Sequence, residues 1–160
     1  MFRAFGAADA MAQGLRLKAI ARSRGLVLLV GADAALARRL DADGLHLPER
    51  MAGQVRRLRR PGWIVTCAAH SPAAVRRALA SGADAAVVSA VFPSRSPSAG
   101  PPLGPVRMAA IARATGLPVY ALGGVNNKTA RRLKDAGLVG LAAVEGLREP
   151  TSAGGAEAGR

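Results

Sequence analysis

The amino-acid sequence predicts an α/β fold in which helices cover a parallel β-sheet. Short apolar runs alternate with amphipathic segments along the chain, in units of roughly 20 to 30 residues. The apolar runs are continuous, which is typical of strands buried on both faces, and parallel strands need crossover helices between them. The length of 160 residues has room for one domain.

Six segments are predicted as strands, because each is a short apolar run bounded by glycine, proline or polar residues. They are Leu26–Val30, Gly44–Leu47, Trp63–Cys67, Ala85–Ala90, Val119–Leu122 and Gly140–Val144.

The segments between the strands are predicted as helices from their apolar spacing and their end signals. Asp33 can cap one helix, and Ser71 followed by Pro72 places a capping residue and a proline at the start of another. A loop rich in proline, serine and glycine occupies residues 93–105. The predicted helices are residues 7–24, Asp33–Leu40, Glu49–Leu58, Ser71–Ala80, Val106–Thr115 and a segment from Asn126 to about Gly137.

Composition excludes several classes of protein. No apolar run approaches the length of about 20 residues that a membrane helix needs, and the N-terminus lacks the pattern of a signal peptide, so we expect a cytoplasmic protein. A single cysteine, Cys67, excludes an internal disulfide framework. The net charge of +13 favours small anionic partners over nucleic acid, because only five aromatic residues are available to stack on bases.

Two architectures fit a parallel sheet of this kind, an open doubly wound sheet and a (β/α)8 barrel. A count of six strands by itself favours the open sheet, since a complete barrel has eight. No G-x-G-x-x-G follows the first strand, so a dinucleotide-binding fold has no support. We expect the domain to span residues 1–148, followed by a disordered tail at 149–160 that is rich in alanine and glycine.

Functional residues of parallel α/β proteins lie where the strands end. The last two predicted strands are followed by Gly123-Gly124 and by Gly146. In phosphate-binding barrels, backbone N–H groups after the last two strands hold a phosphate. The glycines therefore predict a phosphate site, although a simple turn requirement would also explain them.

Three stretches in order carry a resemblance to a known family. They are ADGLHLPE at 42–49, SGADAAVVSAVFPSRSPSAG at 81–100 and VYALGGVNNKTARRLKDAGLVGLAAVEGL at 119–147. They resemble thiamine phosphate synthase and its sister, thiazole tautomerase. The resemblance implies a (β/α)8 barrel that is incomplete at its N-terminus, with Phe2 and Arg3 at the end of strand two. Ala90 stands where the tautomerase has a histidine, which argues against that activity.

The resemblance also implies a reaction, in which a hydroxymethylpyrimidine diphosphate joins a thiazole phosphate and pyrophosphate leaves with the help of Mg²⁺. It implies catalytic roles for Arg3, His46, Ser94 and Ser96. Arg95, Gly123, Gly124, Glu145 and Gly146 would bind phosphate, and Asp33 and Glu49 would hold Mg²⁺.

Several of these positions have a second interpretation. Asp33 can act as a helix cap and Glu49 as a first-turn helix charge. His46 can point into the barrel or pack against a helix.

We therefore expect a synthase-like transferase of thiamine biosynthesis that takes small phosphorylated substrates. The alternative is a non-catalytic relative that binds thiazole phosphate. Weak turnover is expected, because family lysines fall on Phe5 and Pro97 and family aspartates fall on other residue types. Two unpaired sheet edges would also favour association with a second copy of the chain.

Overall fold

The computed structural model describes residues 1–4, 6–94, 100–144 and 146, and it confirms the α/β class. Six parallel strands form one sheet in chain order, so that each strand pairs with its neighbours in sequence. The strands are β1 (Leu29–Gly31), β2 (Gly44–Leu47), β3 (Ile64–Ala69), β4 (Ala85–Val88), β5 (Val119–Ala121) and β6 (Gly140–Leu141).

In the described part of the chain, one α-helix precedes β1, and four further α-helices and two short 3₁₀ turns lie between the strands. The 3₁₀ turns are Glu49–Gln54, directly before α3, and Ala130–Leu133, between β5 and β6. The helices are α1 (Ala10–Ser23), α2 (Ala34–Arg39), α3 (Val55–Leu58), α4 (Pro72–Ala80) and α5 (Gly104–Ala114). Among the described residues, no helix is both long and apolar enough to cross a bilayer.

The two faces of the sheet differ in burial. Alternate strand residues such as Val30, Leu45, Val65 and Val88 are fully buried and share one core with the inward sides of the helices. The opposite face is more open, because Ile64 is 40% exposed. Parallel strands that carry helices on one face only, with successive strands side by side, are the arrangement found in a βα-barrel.

The first strand differs from its prediction. The sequence predicts Leu26–Val30, but β1 begins only at Leu29, and Leu26 and Val27 are exposed. Strand pairing explains the difference, because β2 pairs with β1 only from Leu29 onwards and, on the other side, Phe2 alone lies alongside among the described residues. The Phe2 N–H donates to the Leu29 carbonyl at 2.7 Å, and the Gly31 N–H donates to the Phe2 carbonyl at 2.7 Å. This parallel bridge places Phe2 in the position of a preceding strand, as the family resemblance implies.

The predicted helix from Asn126 to Gly137 is wrong in extent, since only the 3₁₀ turn Ala130–Leu133 forms. The Asn126 side-chain oxygen accepts hydrogen bonds from the N–H groups of Lys128 and Thr129. That side chain closes a tight turn, in which the Ala130 N–H also donates to the Asn126 carbonyl at 2.9 Å, and only the short 3₁₀ turn follows. The predicted tail at 149–160 lies outside the described residues and stays a prediction.

Candidate phosphate-binding site

The loop after β5 contains two glycines with left-handed backbone conformations and no room for a side chain. Gly123 and Gly124 have φ values of +97° and +63°. A Cβ atom on Gly123 would lie 2.7 Å from the Ala90 Cβ, and one on Gly124 would lie 2.4 Å from the Pro93 carbonyl oxygen. The close approach of the loop after β4 therefore requires glycine at both positions, and the left-handed conformation favours it.

The carbonyl groups of this glycine pair are bonded, whereas its N–H groups are open. The Gly123 carbonyl accepts from the Phe92 N–H at 3.0 Å, and the Gly124 carbonyl accepts from the Thr129 hydroxyl at 2.8 Å. Within the part of the chain that the structure describes, no acceptor pairs with the N–H of Gly123 or Gly124. A rigid loop with unpaired N–H donors at the carboxyl edge of a parallel sheet is suited to an anion.

The structure brings the third glycine of the predicted site to the same loop. A Cβ atom on Gly146 would lie 2.2 Å from the Val125 carbonyl oxygen, so the segment after β6 packs directly against the residue that follows Gly124. Ser94 follows β4 at the same end of the sheet. The other predicted residues of this half, Arg95, Ser96 and Glu145, lie outside the described residues.

Arg3 and His46 lie together on the more open face of the sheet. The His46 Nδ1 atom is 2.9 Å from the hydroxyl of Thr66, the residue opposite it on β3. Burial, together with the positive charges of Arg3 and the amino terminus, lowers the pKa of His46 to about 4. The imidazole is therefore neutral at neutral pH, with one nitrogen able to donate a hydrogen bond and the other to accept one.

Asp33, one of the two predicted magnesium ligands, caps a helix. Its Oδ1 atom accepts the N–H of Leu36 at 2.8 Å at the start of α2. This is the capping interaction that the residue type and position predicted from the sequence.

Glu49, the other predicted ligand, joins two segments of the chain. Its Oε2 atom accepts from the His70 N–H at 3.0 Å and lies 2.9 Å from the His70 Nδ1, while Oε1 accepts from Arg77 on α4 at 2.8 Å. Both carboxylate oxygens are occupied by protein donors, which tie the start of the 3₁₀ turn to α4.

The described residues offer no preformed cluster of protein ligands for a magnesium ion. Mg²⁺ is held by carboxylate oxygens in near-octahedral geometry. No group of three or more His, Cys, Asp or Glu side chains with a metal-binding arrangement occurs among the residues described here. The two carboxylates that the sequence offers are engaged in a cap and in an ion-pair cluster.

Sequence reasoning missed the residues that support the candidate site. Thr66 pairs with His46, Thr129 fixes the Gly124 carbonyl, and Arg77 binds Glu49. The His46–Thr66 pair depends on strand register and the Glu49–Arg77 pair on helix packing, neither of which a sequence pattern specifies. Thr129 was the one residue with a sequence signal, since it stands three positions after Asn126 in a turn-forming stretch.

A parallel sheet with successive strands side by side and helices over one face defines a protein of the βα-barrel class. A family model described as thiamine monophosphate synthase matches residues 2–147. The chain belongs to this family.

Relatives of known sequence and structure agree with this assignment. A thiamine-phosphate synthase from Roseiflexus sp. is 37% identical over 92% of this chain and 65% of its own length. One from Roseiflexus castenholzii is 35% identical over 89% of this chain and 65% of its own length. The solved structure of a thiamine phosphate pyrophosphorylase from Pyrococcus furiosus superposes with a TM-score of 0.73 at 25% identity, over 84% of this chain and 64% of that one. The chain thus spans just under two thirds of the length of these relatives.

Proposed function

We propose that this chain binds a thiazole phosphate and takes part in thiamine biosynthesis as a synthase-type transferase. The reaction would join the thiazole nitrogen to a hydroxymethylpyrimidine diphosphate and release pyrophosphate. The observation that carries the proposal is the pair of open N–H groups at Gly123 and Gly124, beside Gly146. Family membership and the names of the relatives, which are thiamine-phosphate synthases, support the choice of substrates.

Within this proposal the described residues have separate tasks. The glycine loop holds the phosphate of the thiazole through backbone N–H groups, which need no conformational change to receive it. His46 presents a neutral imidazole on the open face of the sheet, where a hydrogen bond can orient a polar heterocycle. Arg3, whose charge acts on His46, supplies a cation close by for the diphosphate. The described residues provide no complete ligand set for magnesium.

Calorimetry with thiazole phosphate and with the corresponding thiazole alcohol tests the binding half of the proposal. We expect the phosphate to bind and the alcohol to bind at least about tenfold more weakly, because charge-assisted hydrogen bonds are lost. Equal affinity for the two compounds would remove the phosphate site from the proposal.

A second candidate function is a non-catalytic binder of the same ligand, which the engagement of Asp33 and Glu49 by protein donors favours. Thiamine phosphate formation from both substrates with Mg²⁺ separates the two functions. We expect weak or absent turnover by this chain. A robust rate would instead establish the transferase, and it would indicate that the carboxylates rearrange around the metal when substrate binds.

A further inference from the structure

We infer that Arg132 is a phosphate-binding residue of the glycine loop and sets the preference of this site for phosphorylated ligands. The nature of the ligand rests on the proposed function. The choice of Arg132 rests on the geometry around Phe92. Arg132 follows the glycine loop in the 3₁₀ turn Ala130–Leu133. No motif in the sequence separates it from its neighbour Arg131.

Phe92 connects Arg132 to the loop. The Phe92 N–H donates to the Gly123 carbonyl, and a Cβ atom on Gly124 would lie 2.7 Å from the Phe92 Cβ. The guanidinium carbon of Arg132 lies 5.1 Å from the centre of the Phe92 ring. Because Phe92 is buried and backbone-bonded to the glycine pair, its ring is a fixed platform that holds the cation at this edge of the site.

A second chain of hydrogen bonds fixes the backbone of Arg132 to the same loop. The Arg132 N–H donates to the Thr129 carbonyl at 3.0 Å, and the Thr129 hydroxyl donates to the Gly124 carbonyl at 2.8 Å. Leu133, the next residue, is buried in the core and fixes the turn against it. Backbone and side chain of Arg132 are therefore both held relative to the open N–H groups.

The donors of the guanidinium are available to a ligand. Among the residues that the structure describes, Arg132 has no hydrogen bond or ion pair through its side chain and is exposed, whereas Arg59, Arg77 and Arg113 are each bonded to protein acceptors. A guanidinium stacked on a ring keeps its N–H edge free for the bidentate geometry that suits phosphate oxygens. Arg132 would add charge to a glycine loop that otherwise offers only dipoles.

The test compares Arg132→Ala with Arg131→Ala, its neighbour in the same turn, which is also exposed but stacks on no ring among the described residues. The probes are thiazole phosphate, the thiazole alcohol and inorganic phosphate, measured by calorimetry at low and high salt. We expect Arg132→Ala to weaken both phosphate probes by about tenfold, with affinity for the alcohol unchanged. Arg131→Ala should change each affinity by less than about twofold, and Arg132→Lys should recover part of the loss. Thermal unfolding of each variant checks that the fold is retained.

The outcomes separate this inference from the proposed function. If the wild-type chain binds thiazole phosphate and Arg132→Ala behaves as Arg131→Ala does, the inference is wrong and the proposed function stands. If the wild-type chain binds inorganic phosphate through Arg132 but not thiazole phosphate, the inference stands and the proposed substrate is wrong. Binding of neither probe overturns both, and equal losses for phosphate and alcohol would reduce Arg132 to a structural role.

Discussion

His46 links the stability of the chain to pH. Its pKa is lowered from 6.5 to about 4 in the folded protein, so between these values the unfolded chain takes up a proton that the folded chain does not. Stability is therefore complete above about pH 6.5 and falls as the pH decreases towards 4, by at most about 3 kcal/mol. Urea unfolding across this range should show the slope, and His46→Gln should flatten it. An unchanged slope in the variant would contradict the neutral, buried histidine.

Glu49 should act through its protein partners and not through a metal. Its carboxylate is partly exposed, with an exposed fraction of 28%, so its ion pair with Arg77 contributes little. We expect Glu49→Gln to lower the free energy of unfolding by about 1 kcal/mol or less. In calorimetric melts without substrate, we expect each protein, wild type or variant, to have the same melting temperature in Mg²⁺ as in a chelator. A rise with Mg²⁺ that Glu49→Gln abolishes would instead make Glu49 a ligand.

Two helix caps, one charged and one neutral, stabilise the starts of α2 and α4. Asp33 accepts the Leu36 N–H for α2, and Ser71 accepts the Ala74 N–H for α4. Replacing either by alanine should cost about 1 kcal/mol in denaturant unfolding. Asp33→Asn keeps the accepting oxygen and removes the charge, so we expect near wild-type stability. If Asp33→Asn is as unstable as Asp33→Ala, the charge itself stabilises α2.

The loop after β5 needs glycine for two reasons, which a pair of substitutions separates. Gly116 and Gly124 have similar φ values of +66° and +63°, but a Cβ atom meets nothing within 4 Å at Gly116 and would lie 2.4 Å from the Pro93 carbonyl oxygen at Gly124. We expect Gly116→Ala to cost about 1 kcal/mol and Gly124→Ala clearly more. Equal costs in chemical denaturation would mean that the loop after β4 moves away freely. A side chain at Gly124 would clash with the Pro93 carbonyl oxygen and so disturb the loop itself. Loss of ligand binding in a Gly124 variant therefore does not by itself identify a phosphate site.

Elements with strong local signals could be predicted from the sequence, and those that depend on neighbours could not. The strand Gly44–Leu47 and the Ser71–Pro72 helix start have the expected bounds, because a buried apolar run and a cap are local features. The strand predicted at Leu26–Val30 was shortened because β2 pairs with it only from Leu29 onwards, and Phe2 is the one described residue that pairs with it on the other side. In the candidate site the glycine pair was visible in the sequence. The stacking of Arg132 on Phe92 was not, because a short 3₁₀ turn has no periodic pattern that predicts where its side chains point.

At the scale of the whole molecule, the sheet does not close among the described residues, since β6 forms one edge and Phe2 alone covers β1 at the other. The strand order runs from β1 to β6 without closure. Apolar side chains remain exposed at both edges, since Val27 is 57% exposed beside β1 and Val139 is 56% exposed beside β6. Such edges template pairing with another chain unless charge or proline protects them. The net charge of +13 opposes contact between copies at low salt, and this opposition is screened as salt is added.

We therefore expect the purified chain to associate, and to do so more strongly as the salt concentration rises. Light scattering measures the mass at increasing salt for the wild type and for Val27→Lys and Val139→Lys, which place a charge at either edge. The matched control is Val106→Lys on α5, a position that is 83% exposed but lies on no sheet edge. The edge variants should shift the population towards monomer, and the control should associate as the wild type does. A wild-type chain that is monodisperse, monomeric and cooperatively folded at all salt concentrations would show that the open edges are tolerated, because leaving backbone N–H and C=O groups to water then costs the fold little.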